Sequence, residues 1–273
     1  SSRINALAIS PAFTDDRTLF AGAGGGLYRS SDGGTSWQRV TSYPGGPVLS
    51  LAMSPGWPKH PVLLVGTAQG VYRTADGGAS WTRAQGLAPL SASPLALSSD
   101  GKLLVTGTSN HGLYASDDGS ASWFPLGLQE GSFYYSIPDV AISPAYASDR
   151  TIFAAWASGV SIGAGIYRTT DGGATWKQVY STDYVGALAV SPRYANDHTI
   201  YATGNSGRVL RSTNGGGTWS PLGNWPAGIS NAGGQVALPP NYPTDSTILA
   251  AGSRGFWRLP PGATTWQPAA SGL

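Results

Sequence analysis

Residues 30–37 read SSDGGTSW, in which an aspartate precedes two glycines and a tryptophan closes the segment. Five similar segments follow: TADGGASW at 74–81, SDDGSASW at 116–123, TTDGGATW at 169–176, STNGGGTW at 212–219 and LPPGATTW at 259–266. We call each of these eight-residue segments a box. Their tryptophans are Trp37, Trp81, Trp123, Trp176, Trp219 and Trp266, at spacings of 44, 42, 53, 43 and 47 residues. A period in this range is typical of propellers, solenoids and other repeat architectures.

The repetition decides how the acidic residue of the box is interpreted. A carboxylate beside a large aromatic ring could be a catalytic acid, but a catalytic acid is needed once rather than six times. The position also varies, since Asn214 replaces the aspartate in the fifth box and Pro261 replaces it in the sixth. Asp and Asn accept hydrogen bonds from nearby backbone N–H groups, and glycine adopts positive φ at low cost. We therefore interpret the boxes as turns and expect each tryptophan to be buried between neighbouring sheets.

Four short strand-like segments accompany each box. In the first unit they are LAIS at 7–10, TLFAG at 18–22, GLYRS at 26–30 and WQRV at 37–40, and similar segments recur in every later unit. No helical periodicity of useful length is present. Four strands in each period of about 40 to 50 residues is the pattern of a propeller blade. The sequence therefore predicts an all-β, six-bladed β-propeller of four-stranded antiparallel blades, with the boxes between strands three and four.

Composition narrows the partners that such a protein would have. The repeat covers the 273 residues, which predicts a single domain over 1–273. Charged residues make up 11% of the chain, against about 25% in typical soluble domains, so small polar and aromatic side chains dominate the expected surface. A net charge of +2 without any run of Lys or Arg gives no sign of nucleic-acid binding. No apolar run is long enough for membrane insertion, and the absence of cysteine excludes disulfides.

The S/T-x-D-G-G-x-S/T-W pattern of the boxes resembles the Asp-box repeat, also called the bacterial neuraminidase (BNR) repeat. The resemblance covers essentially the whole chain. Propellers with this repeat are found in sialidases, sortilin-type receptors, xyloglucanases and photosystem II assembly factors. The resemblance implies the propeller fold, but it does not choose a function, because the family includes enzymes, receptors and assembly factors.

Two further positions recur with the box. An arginine occupies the third strand in five of the six units: Arg29, Arg73, Arg168, Arg211 and Arg258. We interpret these arginines as structural residues that bind turn carbonyls or a neighbouring blade, rather than as a basic ring for a ligand. An aspartate precedes the second strand in four units, and we expect it to cap the turn there: Asp16, Asp149, Asp197 and Asp245.

Function is expected where loops depart from the repeat on a rigid scaffold. Connections between strands two and three share one end of the predicted blade with connections from strand four to the next blade, and the boxes lie at the opposite end. The longest departures are 127–139 and 156–164, which account for the 53-residue spacing. We hypothesise that a ligand binds at this end through Glu130, Tyr134, Tyr135, Asp139, Trp156, Tyr184, Arg208, Trp225 and Arg254.

Aromatic rings beside acidic groups suit stacking on sugar rings or gripping a peptide. We therefore predict a non-catalytic binding or scaffold module for a glycan or protein partner, located outside the cell or in the periplasm of a bacterium. One alternative is a glycan-cleaving enzyme, either a sialidase-like hydrolase or a lyase. Another is a structural subunit of a surface assembly.

The enzyme alternative finds little support in the sequence. By the resemblance, a sialidase needs three convergent arginines, a tyrosine activated by a glutamate, and an acid/base aspartate. Of the arginines, only Arg208 and Arg254 fall in the predicted site loops, and Arg3-Ile4-Asn5 lacks the proline of the family's Arg-Ile-Pro motif. The three histidines show no zinc-ligand spacing, and the glycine-rich string at 22–26 precedes a strand rather than a helix. We assign no catalytic residue, no metal and no cofactor.

Overall fold

The computed structural model describes residues 3–87, 90–128, 135–158, 164–181, 184–204, 208–225, 234–252 and 255–269. The chain consists of two compact units, Ser1–Gly131 and Ser132–Leu273, with three antiparallel sheets in each. The predicted all-β propeller of six blades is confirmed. That residues 1–273 form a single domain stays a prediction.

Unit 1 contains blades 1 to 3, in each of which four antiparallel strands follow chain order across the sheet. Blade 1 consists of β1 (Ile4–Ile9), β2 (Leu19–Ala23), β3 (Gly26–Ser30) and β4 (Gln38–Arg39). Blade 2 consists of β5 (Ser50–Met53), β6 (Leu63–Thr67), β7 (Gly70–Thr74) and β8 (Thr82–Arg83). Blade 3 consists of β9 (Leu95–Leu97), β10 (Leu104–Thr108), β11 (Gly112–Ser116) and β12 (Phe124–Pro125).

Unit 2 contains blades 4 to 6, and blade 4 has one strand more than the others. Blade 4 consists of β13 (Tyr135–Ser136), β14 (Val140–Ile142), β15 (Ile152–Ser158), β16 (Gly165–Thr169) and β17 (Lys177–Tyr180). Blade 5 consists of β18 (Val185–Val190), β19 (Ile200–Gly204), β20 (Val209–Ser212) and β21 (Ser220–Pro221). Blade 6 consists of β22 (Val236–Ala237), β23 (Ile248–Gly252), β24 (Gly255–Leu259) and β25 (Gln267–Pro268).

Three single-turn helices connect the first strand to the second: α1 (Phe13–Asp16), α2 (Tyr146–Asp149) and α3 (Tyr194–Asp197). The aspartate that ends each helix accepts the N–H of the threonine two residues later, as Asp16 does from Thr18 at 2.9 Å. The same bond forms at Asp149, Asp197 and Asp245. The predicted turn caps are therefore confirmed. No helix in the described part of the chain has the length and apolar character needed to cross a membrane.

The boxes are turns, as predicted. Asp32 accepts the backbone N–H of Ser36 at 2.9 Å and the hydroxyl of Ser30 at 2.7 Å. Asn214 performs the same task in blade 5, where its Oδ1 accepts the N–H of Thr218 at 2.8 Å. The asparagine therefore preserves the turn without a charge. This agrees with a structural role for the repeated aspartate.

Neighbouring blades pack face to face in the same way in both units. In unit 1, Phe20 and Leu27 of blade 1 are fully buried against Leu63 and Val65 of blade 2. The corresponding cluster in unit 2 joins blade 4 to blade 5. We call the side of a blade that packs on the next blade its trailing face, and the opposite side its leading face.

Hydrogen bonds accompany this packing. The indole N–H of Trp219 donates to the carbonyl of Val179 in the preceding blade at 3.1 Å. Trp266 donates in the same way to the carbonyl of Leu222 at 2.9 Å. In the opposite direction, the Nη1 of Arg168 donates to the carbonyl of Gly215, in the box of the following blade, at 2.6 Å. The structural interpretation of the strand-three arginines is thus confirmed for Arg168.

The burial of the box tryptophans differs between blades. Trp123 and Trp266 are buried, whereas Trp81, Trp176 and Trp219 are half-buried. Trp37 is 38% exposed. The expectation that every box tryptophan is buried between blades is therefore wrong for Trp37.

Candidate functional site

Blade 4 departs from the repeat at the end opposite its box. In every blade we call the end that carries the box the box end, and the opposite end the loop end. β15 has seven residues, whereas the other second strands have five. Its additional length pairs with β13, with Tyr135 opposite Ser158 and Ser136 opposite Ala157. The predicted loop 127–139 therefore contains a strand, which the sequence analysis did not foresee.

Trp156 lies inside the extended β15. It is paired with Gly165 in β16, and its side chain is buried. The centre of its ring is 5.9 Å from that of Tyr167. The expectation that a loop begins at Trp156 is wrong, because pairing with β13 continues the strand to Ser158. Trp156 therefore packs inside blade 4, beneath its loop end.

Asp139 precedes β14 and joins two blades. Its Oδ1 accepts the N–H of Val140 at 2.9 Å, and its Oδ2 accepts the N–H of Leu188 in β18 at 2.8 Å. Part of Asp139 is accessible to solvent, but protein atoms surround its carboxyl group densely. The buried surroundings of the carboxyl group determine its pKa. Burial raises the pKa of Asp139 to about 6, although both backbone donors act in the opposite direction. Both oxygens are engaged with the backbone, so the observed role of Asp139 is to hold blade 4 against blade 5.

Tyr184 and Arg208 are exposed at the loop end of blade 5. Tyr184 directly precedes β18 and is 37% exposed. The next residue, Val185, pairs with Gly204, and the N–H of Gly204 donates to the carbonyl of Arg208 at 3.0 Å. The first strand and the β19–β20 connection thus bring an exposed aromatic ring and an exposed guanidinium to the same end of the blade.

Trp225 follows β21 and is half-buried. Its ring stacks on Trp266 with centres 4.7 Å apart and planes 5° from parallel. It also meets Trp257 edge to face at 5.8 Å. Trp225 therefore belongs to the aromatic cluster between blades 5 and 6, with part of its surface left accessible.

The remaining predicted site residues are described only in part or not at all. Glu130, Tyr134 and Arg254 lie outside the described residues. For Tyr135 the structure gives the strand pairing with Ser158. Their roles stay predictions.

The strand β17 contributes a residue that sequence reasoning missed. It has four residues, whereas the other fourth strands have two. Its last residue, Tyr180, pairs with Ile166, and its ring lies 5.8 Å from that of Trp219. A Cβ at Gly165, whose φ is 142°, would collide with the carbonyl oxygen of Tyr180. No residue marks the longer strand in the sequence, since Thr41 follows WQRV and Gln85 follows WTRA in blades whose fourth strands have two residues.

The described groups favour binding over acid–base chemistry. Apart from Asp139, every described aspartate lies in a box or in a connection from strand one to strand two, and hence at the box end. Within the described ranges, no group of three or more His, Asp or Glu side chains could hold a metal ion. Glycoside hydrolysis in most families uses two carboxyl groups about 5 to 10 Å apart, and the described part of the loop end offers one. An exposed ring and a guanidinium can instead stack on a sugar and donate hydrogen bonds to it.

The sequence matches the model of one protein family over more than half of its length. Residues 2–186 match the DUF6242 beta propeller domain. The chain belongs to this family. No curated protein matches this DUF6242 propeller in sequence.

Solved structures share the fold of this DUF6242 propeller at low identity. The GH74 xyloglucanase from Xanthomonas campestris is 19% identical with a TM-score of 0.78, and the match covers 99% of this chain and 46% of that one. An ancestral GH74 enzyme is 16% identical with a TM-score of 0.77, covering 100% and 39% of the two chains. The GH74 enzyme from Niastella koreensis is 15% identical with a TM-score of 0.53, covering 96% and 56%. The likeness shows the fold alone, and the chain spans less than half the length of the first two enzymes.

Proposed function

We propose that this propeller is a non-catalytic binding module for a glycan, and that the glycan contacts the loop ends of blades 4 and 5. The observation that carries the proposal is the extension of β15 and its pairing with β13. The other described blades are complete with four strands. The additional strand is therefore not needed for the blade itself, and it adds a rigid edge where loops depart from the repeat.

The exposed side chains give this region its binding chemistry. The ring of Tyr184 offers an apolar face on which a sugar ring can stack, as aromatic residues commonly do in ligand sites. The guanidinium of Arg208 has five N–H donors for hydroxyl or carboxylate oxygens. In the same proposal, Tyr134, Tyr135 and Glu130 extend the site from blade 4, and Trp225 and Arg254 extend it towards blade 6.

The choice of a glycan over a protein partner rests on one likeness. The solved structures with the same fold include a xyloglucanase. We therefore take xyloglucan as the first candidate ligand. A plant or bacterial polysaccharide would be met outside the cytoplasm, so we propose an extracellular or periplasmic location in a bacterium.

The non-catalytic part of the proposal rests on Asp139. Among the residues that the structure describes, Asp139 carries the one carboxylate at the loop end. Each of its two oxygens accepts a hydrogen bond from a backbone N–H group. A general acid for glycoside cleavage must reach the glycosidic oxygen, with a second carboxylate on the other side of the bond. The bonds to Val140 and Leu188 orient Asp139 towards the scaffold instead.

Binding and cleavage can be measured in parallel on the same samples. The protein is run through native gels containing xyloglucan, a mixed-linkage glucan, a mannan or a sialylated glycan, and each polysaccharide is incubated with it and assayed for new reducing ends. We expect retardation by at least one of these polysaccharides without new reducing ends. New reducing ends would overturn the non-catalytic assignment. Free migration in every gel would overturn the glycan as ligand.

A further inference from the structure

Three buried hydrogen-bond donors meet where the trailing face of blade 2 packs on the leading face of blade 3, within unit 1. They are the Nε–H of Arg73 in β7 and two groups in the box of blade 3, the hydroxyl of Ser120 and the indole N–H of Trp123. In the described part of the chain, none of these three groups has a hydrogen-bond partner. Ser120 is 3% exposed and Trp123 is 7% exposed. Burying a donor without an acceptor is costly, and nearly all buried polar groups in proteins are hydrogen-bonded.

The turn of the box brings the three side chains to one place. A Cβ at Gly119, directly before Ser120, would lie 3.9 Å from both Nε and Nη2 of Arg73. In the box of blade 2, a Cβ at Gly78, which corresponds to Ser120, would lie 3.8 Å from the tryptophan ring of that box. Ser120 therefore has the guanidinium beside the residue that precedes it, and the ring of Trp123 beside its own Cβ.

The corresponding contact between blades 4 and 5 has no such unpaired donors among the same positions. There the Nη1 of Arg168 donates to the carbonyl of Gly215 at 2.6 Å. The indole N–H of Trp219 donates to the carbonyl of Val179 at 3.1 Å. A glycine stands at the serine position, so there is no hydroxyl to satisfy. The repeat by itself therefore does not leave these donors unpaired, and blades 2 and 3 differ from it.

Two sequence differences distinguish the contact between blades 2 and 3. Ala84 stands where Val179 stands in blade 4. In blade 5, a Cβ at Gly216 would lie 3.0 Å from the Cγ2 of Val179, an atom that Ala84 does not have. The shorter side chain leaves room in front of Ser120 that the other contact lacks.

The second difference is the serine itself. Ser120 has a φ of 74°, a backbone conformation that favours glycine. Four other boxes have glycine at this position, namely Gly34, Gly78, Gly173 and Gly216. A turn alone would favour glycine here as well, so the hydroxyl is accommodated at a cost in backbone strain.

The charge of Arg73 determines what kind of acceptor fits. Its guanidinium is half-buried and its Nε is fully buried, and a buried charge is normally paired. Asp118 in the neighbouring box does not fill this role, because its oxygens accept hydrogen bonds from Ser116 and Ser122. A water molecule would accept hydrogen bonds but would bring no charge. A small anion would do both.

We propose that a small monovalent anion of the halide class, chloride above all, binds between blades 2 and 3 and accepts hydrogen bonds from Arg73, Ser120 and Trp123. The ion fastens the two blades together where the repeat provides no protein acceptor. The proposal is independent of glycan binding, because this site lies beside the box, at the other end of the blades from the proposed glycan site.

Bromide locates the ion directly. In crystals grown with bromide as the halide, we expect an anomalous difference peak within hydrogen-bonding distance of the Nε of Arg73 and the Nε1 of Trp123. An electron-density peak without anomalous signal at this place would identify a water molecule and overturn the proposal. No peak at all would overturn it too.

Thermal unfolding measures whether the ion matters in solution. Chloride is varied against methanesulfonate, a larger monovalent anion, at constant ionic strength. The midpoint of wild-type unfolding is expected to rise with chloride, since a ligand that binds the folded state stabilises it. Arg73→Met should abolish this rise. Arg168→Met is the matched control from the contact between blades 4 and 5, and it should lower the midpoint but keep the rise.

Ser120→Gly provides a second variant that also relieves the backbone strain. It should fold at least as well as the wild type, while its apparent chloride affinity falls about tenfold, the effect of losing one hydrogen bond to a charged group. Circular dichroism verifies the fold of each variant. An equal chloride dependence in the wild type and Ser120→Gly, or in the wild type and folded Arg73→Met, overturns the proposal. A bromide peak without any chloride dependence of unfolding would show an adventitious ion only, which overturns it as well.

Discussion

The carboxylate of Asp139 accepts the backbone N–H of Leu188 at 2.8 Å, and this bond joins the first strand of blade 4 to the first strand of blade 5. The equivalent position in blade 1 is Ala6, which has no polar side chain. A buried carboxylate at this place makes the stability of unit 2 depend on pH in a particular direction.

Stability is expected to fall between pH 4 and pH 6 because of Asp139. Burial raises its pKa from 3.8 to about 6, so in this interval the folded protein binds a proton that the unfolded chain has released. The stabilisation is therefore complete below pH 4 and lost as pH rises through 6, and it amounts to at most about 3 kcal/mol for a shift of this size. Urea unfolding at pH 4.5, 5.5 and 6.5 measures it.

Asp139→Asn is the control for this pH dependence. The asparagine cannot titrate, so the part of the pH dependence due to residue 139 should disappear. If the variant and the wild type lose stability equally between pH 4.5 and 6.5, the buried carboxyl is not the titrating group.

The box aspartates affect the stability of the protein at a lower pH than Asp139 does. Hydrogen bonds from the side chain and then the backbone of Ser122 hold the pKa of Asp118 at about 2, and the matching bonds lower the pKa of Asp32 further. Groups with a lowered pKa contribute stability above pH 4, and this contribution is lost as pH falls through the folded pKa. Below pH 4 we therefore expect stability to decrease.

Asp32→Ala should lower the midpoint of thermal unfolding at pH 7, because the N–H of Ser36 and the hydroxyl of Ser30 lose their acceptor. Asp32→Asn should retain most of the stability, since Asn214 forms the same turn in blade 5. Differential scanning calorimetry of the two variants measures the difference. Equal losses for alanine and asparagine would contradict the hydrogen-bonding role of the box residue.

Gly165 and Gly255 occupy the same position in the third strands of blades 4 and 6, and both have positive φ. A Cβ at Gly165 would collide with the carbonyl of Tyr180, whereas a Cβ at Gly255 would meet no atom within 4 Å. Replacement by alanine strains the backbone at both positions. Gly165→Ala should therefore cost about 1–3 kcal/mol more than Gly255→Ala, measured by urea unfolding. Equal costs would mean that β17 does not approach β16 as closely as described.

Phe20 and Leu249 share one position of the second strand in blades 1 and 6. Phe20→Ala removes a fully buried ring and is expected to cost about 3–5 kcal/mol of unfolding free energy. Leu249→Ala, at a position 46% exposed, should change it by less than about 0.5 kcal/mol. A comparable loss for both variants would contradict the difference in burial between the two positions.

The sequence sufficed for the features that repeat. The six boxes, the strand pattern and the capping aspartates were predictable because each depends on side chains within a few residues of one another, such as Asp32 and Ser36. The burial of Trp156 was not predictable, because it depends on the pairing of Ser158 with Tyr135, more than 20 residues earlier in the chain.

The exposure of individual faces was also hidden from the sequence. Leu7 and Leu188 occupy the same motif, LAIS and LAVS, yet one is exposed and the other is buried. Residues of blade 4 bury Leu188, and no residue in the motif itself records that contact. The same holds for Trp37 in comparison with Trp266.

The central claim is that the loop ends of blades 4 and 5 bind a glycan, and two pairs of variants test it most directly. Isothermal titration measures the affinity for the polysaccharide that retards the protein most in the gels. Arg208→Ala and Tyr184→Ala alter the loop end, whereas Arg193→Ala and Phe124→Ala remove exposed side chains elsewhere. We expect the first pair to weaken binding about tenfold or more, and the second pair to leave it unchanged. Wild-type affinity in folded Arg208→Ala and Tyr184→Ala proteins would place the binding site elsewhere and contradict the account.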